Sequence, residues 1–407
     1  MQDLGRLEGN ELQHSHPSPF IRFRDSKDYA YGFLSVEDVS SFLEPAGPAA
    51  SNRPLVDPGV EEFTVIPGRF GVRWLISADS RQCREVLSCW RPYDLRSRVK
   101  WGVVEAASAV SALEYLPGTT RVSLPLGHLR NYFREIGKEG IRTAVIQVGN
   151  PSFSRKLIAF GMGDRSVECV VKIPLTSDAV ESIAREAHAL SELRALTRAL
   201  PECISCDSSS GWSSQTWIRG RASSRRFSRL HSDFLLRLVS DGQTLPLTQA
   251  VEHICPPSTG DLRPTHIVSA IADAATRVLL LSDALLPVTC VHGDFVPWNI
   301  KNNSGELVIV DWESCILTGL PLQDVCHFFY KQDYLFQDIG GLPQTMLRHP
   351  AVSVYLKKMD ISADTAVRLV LYYLVETYYT HLSHKEYDQC EYDEIQIKCV
   401  MDGIGRS

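Results

Sequence analysis

The sequence predicts an α+β chain of two lobes, a β-rich one followed by a helical one, behind an N-terminal accessory region. Three observations carry that reading. Three β-rich runs, "TAVIQVG", "RKLIAFGM" and "SVECVVKI", follow one another between Thr143 and Ile173. Helical patterns such as "SADTAVRLVLYYLVETYYTHL" dominate beyond Arg221. Set among those helices are "VHGDFVPWNI" and "LVIVDWE", apolar runs with Asp294, Asn299 and Asp311 at or near their ends.

Residues 1–58 are rich in Pro, Ser and Gly and read as a flexible N-terminal arm, with two short segments able to order locally. The chain becomes regular over 59–127, an accessory α/β region. There "FTVIPG" and "GVRWLIS" read as strands, and "SRQCREVLSCW" and "VKWGVVEAASAVSALEYL" as helices, the second stopped by Pro117-Gly118. That second helix carries Val103, Val104, Ala107, Val110 and Leu113 at helical spacing, so it must bury a face. The region is too short for a large core of its own and is expected to dock on the β lobe and extend it. The stretch from Arg81 to Lys100 is rich in basic residues and reads as a solvated face.

Residues 128–220 make the β-rich lobe. Its three runs are linked by "NPSFS" and the hairpin-like "GDR". A helix follows from about Ala179 to Leu196, then the strand-like "CISCDS" and "SQTWI", closed by Gly220. Residues 221–407 make the helical lobe. In it "THIVSAIADAATRVLLLSDAL" reads as a long helix running into "VTCVHGDF", and a later helix sets Val367, Leu371, Leu374 and Tyr378 on one face.

The 407 residues are 44% hydrophobic and 22% charged, ordinary for a globular protein with a sizeable core. A net charge of −6 gives no reason to expect nucleic acid as a partner. The eleven cysteines follow no framework spacing, and the N-terminus has neither the basic nor the apolar segment of a signal peptide. A reduced, cytoplasmic protein with no membrane partner is expected. Cys203 and Cys206 have C-x-x-C spacing, but no second pair or suitable histidine lies nearby, so they read as plain thiols.

Asp294 follows an apolar run and a glycine and sits on a tight loop, with Asn299 five residues further on. Asp311 ends "LVIVD", after a hairpin signal at "NNSGE". Two short strands joined by that turn bring Asp311 back to the loop. An amide oxygen and a carboxylate converging there make a hard-oxygen site suited to Mg²⁺, which draws its other ligands from water and phosphates. Asp294 is then free to orient a hydroxyl and accept its proton. These are the parts that phosphoryl transfer needs. Asp and Asn side chains at such positions also cap loops as Asx turns.

"H-G-D-F-V-P-W-N" followed by "D-W-E" resembles the catalytic signature of the aminoglycoside phosphotransferase and choline kinase group, small-molecule kinases of the bilobal protein-kinase-like fold. Its spacing also matches H-R-D-L-x-x-x-N and D-F-G. Gly293 in place of Arg, and Trp312-Glu313 in place of Phe-Gly, point to small-molecule kinases. The resemblance spans about residues 141–385. It implies Asp294 as catalytic base with His292 beside it bracing the loop, Asn299 and Asp311 as metal ligands, and ATP and Mg²⁺ as cofactors. It further implies that Lys172 binds the nucleotide phosphates, that Val170 covers the base, and that the hinge near Trp217 and Ile218 meets the base edge. Lys172 shares a strand face with Val170 and needs an anionic partner there. Glu186 borders the apolar face of the next helix, whereas Glu181 and Glu192 point away and Glu181 serves a capping box with Asp178. The loop "QVGNPSFSRKL" has one glycine, so Ser152 and its neighbours would have to cover the phosphates. Asp324 matches a position that steadies the catalytic loop. The function implied is ATP-dependent phosphorylation of a hydroxyl on a small polar molecule of aminoglycoside, sugar or amino-alcohol type. A protein kinase or a non-catalytic nucleotide-binding regulator is the alternative.

Overall fold

The computed structural model describes residues 30–43, 60–78, 83–90, 92–93, 95–164, 166–208, 210–254, 270–303, 305–336 and 342–404. In chain order the first part holds α1 (Val36–Leu43), β1 (Val60–Gly68), β2 (Gly71–Ser77), α2 (Arg84–Cys89), α3 (Leu95–Ala109), β3 (Thr120–Pro125) and α4 (Gly127–Glu135). Next come β4 (Arg142–Val148), β5 (Lys156–Met162), β6 (Val167–Pro174), α5 (Ser177–Leu193), β7 (Cys203–Asp207) and β8 (Trp212–Thr216). These strands form one eight-stranded antiparallel sheet in the order β3-β1-β2-β4-β5-β6-β8-β7. The accessory strands therefore continue the sheet of the β lobe through the β2–β4 pairing, Leu75 opposite Ile146.

Strand alternation divides the sheet's side chains between two cores. Leu75, Ile146, Leu157 and Val171 face α1 and α4, packing with Leu43, Leu129 and Phe133. Trp74, Ile76, Phe160 and Val170 face α2 and α3, packing with Val86, Leu87, Trp101 and Val104.

One sequence expectation needs correction here. The helix read over 99–116 runs from Leu95 to Ala109, and Ser111 at φ +55 breaks it. Its buried face holds Trp101, Val104 and Ala107, while Val103 and Val110 are exposed. Trp101 decides the face: its ring lies 5.2 Å from Trp74, and its indole N–H donates to the Leu87 carbonyl at 2.9 Å. The arm read over 1–58 is ordered at 30–43, where Ala30, Leu34, Val39 and Leu43 are buried. Leu34 bridges to Gly71, donating to Phe70 and accepting from Val72. A Cβ at Gly71 would lie 2.0 Å from the Leu34 carbonyl oxygen, so no side chain fits there. Residues 1–29 and 44–58 of that arm lie outside the described residues.

From β9 (Arg221–Ala222) onward the second lobe is helical around two three-stranded sheets, β10-β11-β14 and β13-β12-β9. It contains α6 (Arg229–Leu235), β10 (Val239–Pro246), α7 (Leu247–Glu252), α8 (Ala270–Leu280), β11 (Leu285–Val291), β12 (Ile300–Asn303), β13 (Glu306–Ile309) and β14 (Ile316–Gly319). It ends with α9 (Gln323–Phe336), α10 (Leu342–Leu347), α11 (Pro350–Lys358), α12 (Ala363–Ser383) and α13 (Tyr387–Ile404). Helix α12 is buried on most sides, Leu371, Leu374 and Tyr378 included, and so forms the centre of the lobe. The long helix expected over 265–285 ends at Leu280, and Leu285 already opens β11; residues 265–269 lie outside the described residues. The acidic stretch at the C-terminus is partly interior: buried Asp393 accepts from Tyr330 and, at 2.7 Å, from His381. No described helix is long and apolar enough to cross a membrane.

Candidate active site

Strand β6 sits in the interior of the sheet, with Lys172 paired to Ile158 on one side and Ser213 on the other. Lys172 is 3% exposed, and a charge so buried is stable only with partners. Glu186 Oε2 lies at 2.6 Å and Asp311 Oδ1 at 2.6 Å. Glu186 is buried on α5, whereas Glu181 and Glu192 are exposed. The cap of α5 is Thr176, whose hydroxyl accepts from Ala179 N–H, rather than Asp178. Glu186 also accepts from the Trp312 amide at 3.3 Å, so one carboxylate links β6, α5 and the chain just after Asp311. On the neighbouring strand, buried Lys156 pairs with Glu313 and comes within 3.8 Å of Asp311; Ser182 donates to Glu313 at 2.8 Å. Burial opposes the Lys172 charge, yet Asp311, Glu186 and Glu313 raise its pKa above the usual lysine value. Burial likewise opposes the Asp311 carboxylate, and Lys172 and Lys156 hold its pKa well below the usual range.

The loop 292–299 joins β11 to β12. Gly293 takes φ +81, and a Cβ there would come within 2.3 Å of the Ser314 carbonyl, which excludes the arginine of the protein-kinase pattern. Asp324 on α9 accepts from the His292 and Gly293 amides at 2.8 and 3.0 Å, clamping the loop backbone. Burial pushes the Asp324 carboxyl up to about 7, against the pull of those two amides. His292 is wholly buried: Nδ1 accepts from the Asp294 amide at 3.1 Å, so Nε2 carries the proton and donates to Val310. It braces the loop and does not reach the cleft as a reacting group.

Asp294 has both carboxylate oxygens held. Asn299 Nδ2 donates to Oδ2 at 2.8 Å, and His327 of α9 donates to Oδ1 at 3.0 Å. Burial opposes its ionisation, but the His327 hydrogen bond lowers its pKa below the usual aspartate value. The hairpin β12–β13 pairs Ile300 with Ile309 and returns the chain so that Val310 N–H donates to the Asn299 carbonyl. Asp311 follows at φ +70, a left-handed conformation that Asp tolerates better than most residues.

These groups border a cavity of about 350 Å³ that lies between the lobes. Lys172, Lys156, Asp294, Asn299 and Asp311 line it together with Val170, Ser152, Trp217 and Ile218. The Ser152 amide is already taken by the Ala30 carbonyl at 2.9 Å, which leaves the "NPSFS" loop less backbone for a phosphate than the sequence predicts. Trp217 and Ile218 make no backbone hydrogen bond among the described residues, so their peptide groups are available to a ligand edge. Among the described residues no three of His, Cys, Asp and Glu gather into a metal cage. The donors at the loop are the Asp311 carboxylate and the Asn299 amide oxygen, whose Nδ2 is spent on Asp294. One carboxylate and one amide oxygen fit Mg²⁺ when phosphate oxygens and water complete the shell.

Sequence reasoning missed His327, which lies one helical turn beyond Asp324 on α9 and was visible only as a lone histidine. It missed Glu313 as the partner of Lys156. It also missed the part played by the accessory region: Arg73 and Trp74 of β2 line the same cavity, and so do Val86, Cys89 and Trp90, in a stretch expected to be a solvated face.

No protein-family model matches the chain, and no curated protein matches it in sequence. Several solved structures are similar. The GDP and kanamycin complex of APH(2")-IIia matches with 12% identity and a TM-score of 0.46, covering 68% of this chain and 99% of that one. Choline kinase LicA from Streptococcus pneumoniae matches with 13% identity and a TM-score of 0.45, over 68% and 99% of the two chains. Macrolide 2'-phosphotransferase MphH from Brachybacterium faecium matches with 14% identity and a TM-score of 0.45, over 66% and 96%.

Proposed function

We propose that this protein is an ATP-dependent phosphotransferase that moves the γ-phosphoryl group to a hydroxyl of a small polar molecule. One observation carries the reading: Asp294, Asn299 and Asp311 converge on the cavity that also receives Lys172 paired with Glu186. Each part has a job in phosphoryl transfer. Lys172, held by Glu186, positions the phosphates. Lys156 adds positive charge beside it. Asn299 and Asp311 would hold Mg²⁺, which when bound neutralises charge on the phosphates. Asp294 orients the acceptor hydroxyl and takes its proton as the new O–P bond forms and ADP leaves. Its low pKa keeps it ionised at neutral pH, and His327 and Asn299 fix its orientation.

The test is a screen of hydroxyl-bearing small molecules with Mg-ATP, reading ADP release and phosphorylated product, with Asp294→Asn as control. The asparagine keeps the size and one of the two hydrogen bonds that Asp294 accepts but cannot take the proton, so transfer should be lost while ATP binding stays near wild type. Near-normal turnover by Asp294→Asn on the true acceptor would rule out Asp294 as the base.

A further inference from the structure

Helix α2 lies far from the catalytic loop in sequence, yet it is fastened to the segment that links the lobes. Glu85 Oε1 accepts from the Trp217 indole N–H at 3.2 Å and pairs with Arg219 at 2.8 Å. Its other oxygen accepts from the Val167 amide at 3.1 Å. The Arg219 side chain is largely exposed, so that ion pair adds little stability; the three contacts together fix where α2 sits. With Glu85 so placed, Val86, Cys89 and Trp90 border the cavity that holds Lys172, Asp294 and Asp311. Trp90 is supported from behind by Trp74, ring to ring at 5.3 Å, and by the Arg73 guanidinium 5.8 Å from its centroid. Just beyond, Tyr93 reaches the other lobe: its ring lies 5.8 Å from that of Trp298, and its hydroxyl donates to the Ser223 carbonyl at 3.2 Å.

We infer that the accessory region is part of the nucleotide site, with Val86, Cys89 and Trp90 walling the pocket that takes the nucleotide base. The inference rests on the phosphotransferase reading above. The phosphate-binding lysines line the same cavity as the hinge residues Trp217 and Ile218 and the apolar Val170, and α2 borders the cavity on the hinge side. An indole, a thiol and a valine side chain offer a flat aromatic base an apolar, polarisable wall. Glu85 acts as a positioning residue, since it touches the hinge and not the ligand.

Cys89 provides the test, because it is a free thiol on this wall, whereas Cys206 and Cys399 are exposed thiols elsewhere. The full-length protein is labelled with N-ethylmaleimide, and each cysteine is followed by peptide mass spectrometry. Saturating Mg-ATP should slow labelling of Cys89 about tenfold or more and leave Cys206 and Cys399 unchanged. Magnesium tripolyphosphate, which has the charge but no base, should leave the Cys89 rate unchanged. In parallel, calorimetry on Cys89→Phe should show ATP affinity reduced about tenfold or more with tripolyphosphate affinity preserved, because the added ring fills the base pocket. ATP that binds by calorimetry without protecting Cys89, and equally well to Cys89→Phe, overturns the inference. Equal protection by tripolyphosphate also overturns it, since lobe closure would then be the cause. Wild-type protein that binds no nucleotide at all overturns the phosphotransferase reading itself, and this inference with it.

Discussion

His327 donates its Nε2–H to Asp294 Oδ1 at 3.0 Å, while its Nδ1 faces the Tyr373 hydroxyl, also at 3.0 Å. Burial lowers the pKa of His327, so the neutral ring accepts from Tyr373 and donates to Asp294. The same face of α9 carries Asp324, three residues earlier, which clamps the loop backbone. One helix therefore holds both the loop and the carboxylate of Asp294.

If that hydrogen bond orients the base, His327→Ala should lower kcat about tenfold to a hundredfold with little change in ATP affinity. His327→Gln, whose amide N–H can stand where Nε2–H stands, should recover most of the loss. Equal loss in both variants would mean that the imidazole is needed for packing alone.

Lys172 and Glu186 form a pair with almost no solvent contact, and removing one member leaves a buried charge with fewer partners. Lys172→Ala and Glu186→Ala should each reduce kcat/KM strongly. Because they act as one unit, the double variant should be little worse than the worse single one. Simple additivity in that cycle would show that the two do not cooperate in positioning phosphate.

Asp311 is best probed as Asp311→Asn, because asparagine accepts the left-handed backbone at φ +70 that alanine resists. Mg-ATP at a hundred times its Kd should stabilise the wild-type protein by about 2.7 kcal/mol. That magnesium-dependent part should vanish in the variant, read as the difference in thermal shift with and without Mg²⁺. An unchanged difference would remove Asp311 from the metal site.

His231 is buried and accepts from Ser228 at Nδ1, so it stays neutral in the fold. Burial, together with His349 nearby, pushes its pKa down to about 4. The unfolded chain takes up a proton below about 6.5 while the folded one does not. Stability is therefore fully retained above pH 6.5 and falls as the pH drops toward 4, by about 2 kcal/mol between pH 7 and 5 from this residue. Urea unfolding at the two pH values should show that much less acid sensitivity in His231→Gln than in the wild type. An identical pH slope in the two proteins would show that His231 titrates normally in the fold.

What the sequence makes legible is governed by local rules. Strand alternation sets Lys172 beside Val170, helical periodicity selects Glu186, and the short β12–β13 hairpin brings Asp311 back toward Asn299. Each inference needs only a few residues of context. Lys156 with Glu313, and His327 with Asp294, depend on how whole elements pack across the cleft, and no periodicity announces that. Of the apolar residues expected on one face, Val104, Ala107 and Leu113 are buried while Val103 and Val110 are exposed, because Trp101 is the side chain that fills the space beside Trp74. The sequence admits local order in the arm but does not place it at 30–43, because Leu34, Val39 and Leu43 are too widely spaced to stand out in a Pro- and Ser-rich setting. The placement of α2 at the hinge rests on a single glutamate whose partners lie more than 80 residues away.

The strand order of the large sheet also bears on how the chain assembles as it is made. β2 emerges beside β1, β3 adds to the free edge of β1, and β4 adds to the free edge of β2. β5 and β6 then extend the same edge in turn, and β8 lies directly on β6. Only β7 must wait for its neighbour, β8. A nascent chain leaving the ribosome can thus lay every new strand after β1 except β7 on a template already present. The accessory strands leave the exit tunnel before the rest of the sheet and become the template from which the β lobe grows.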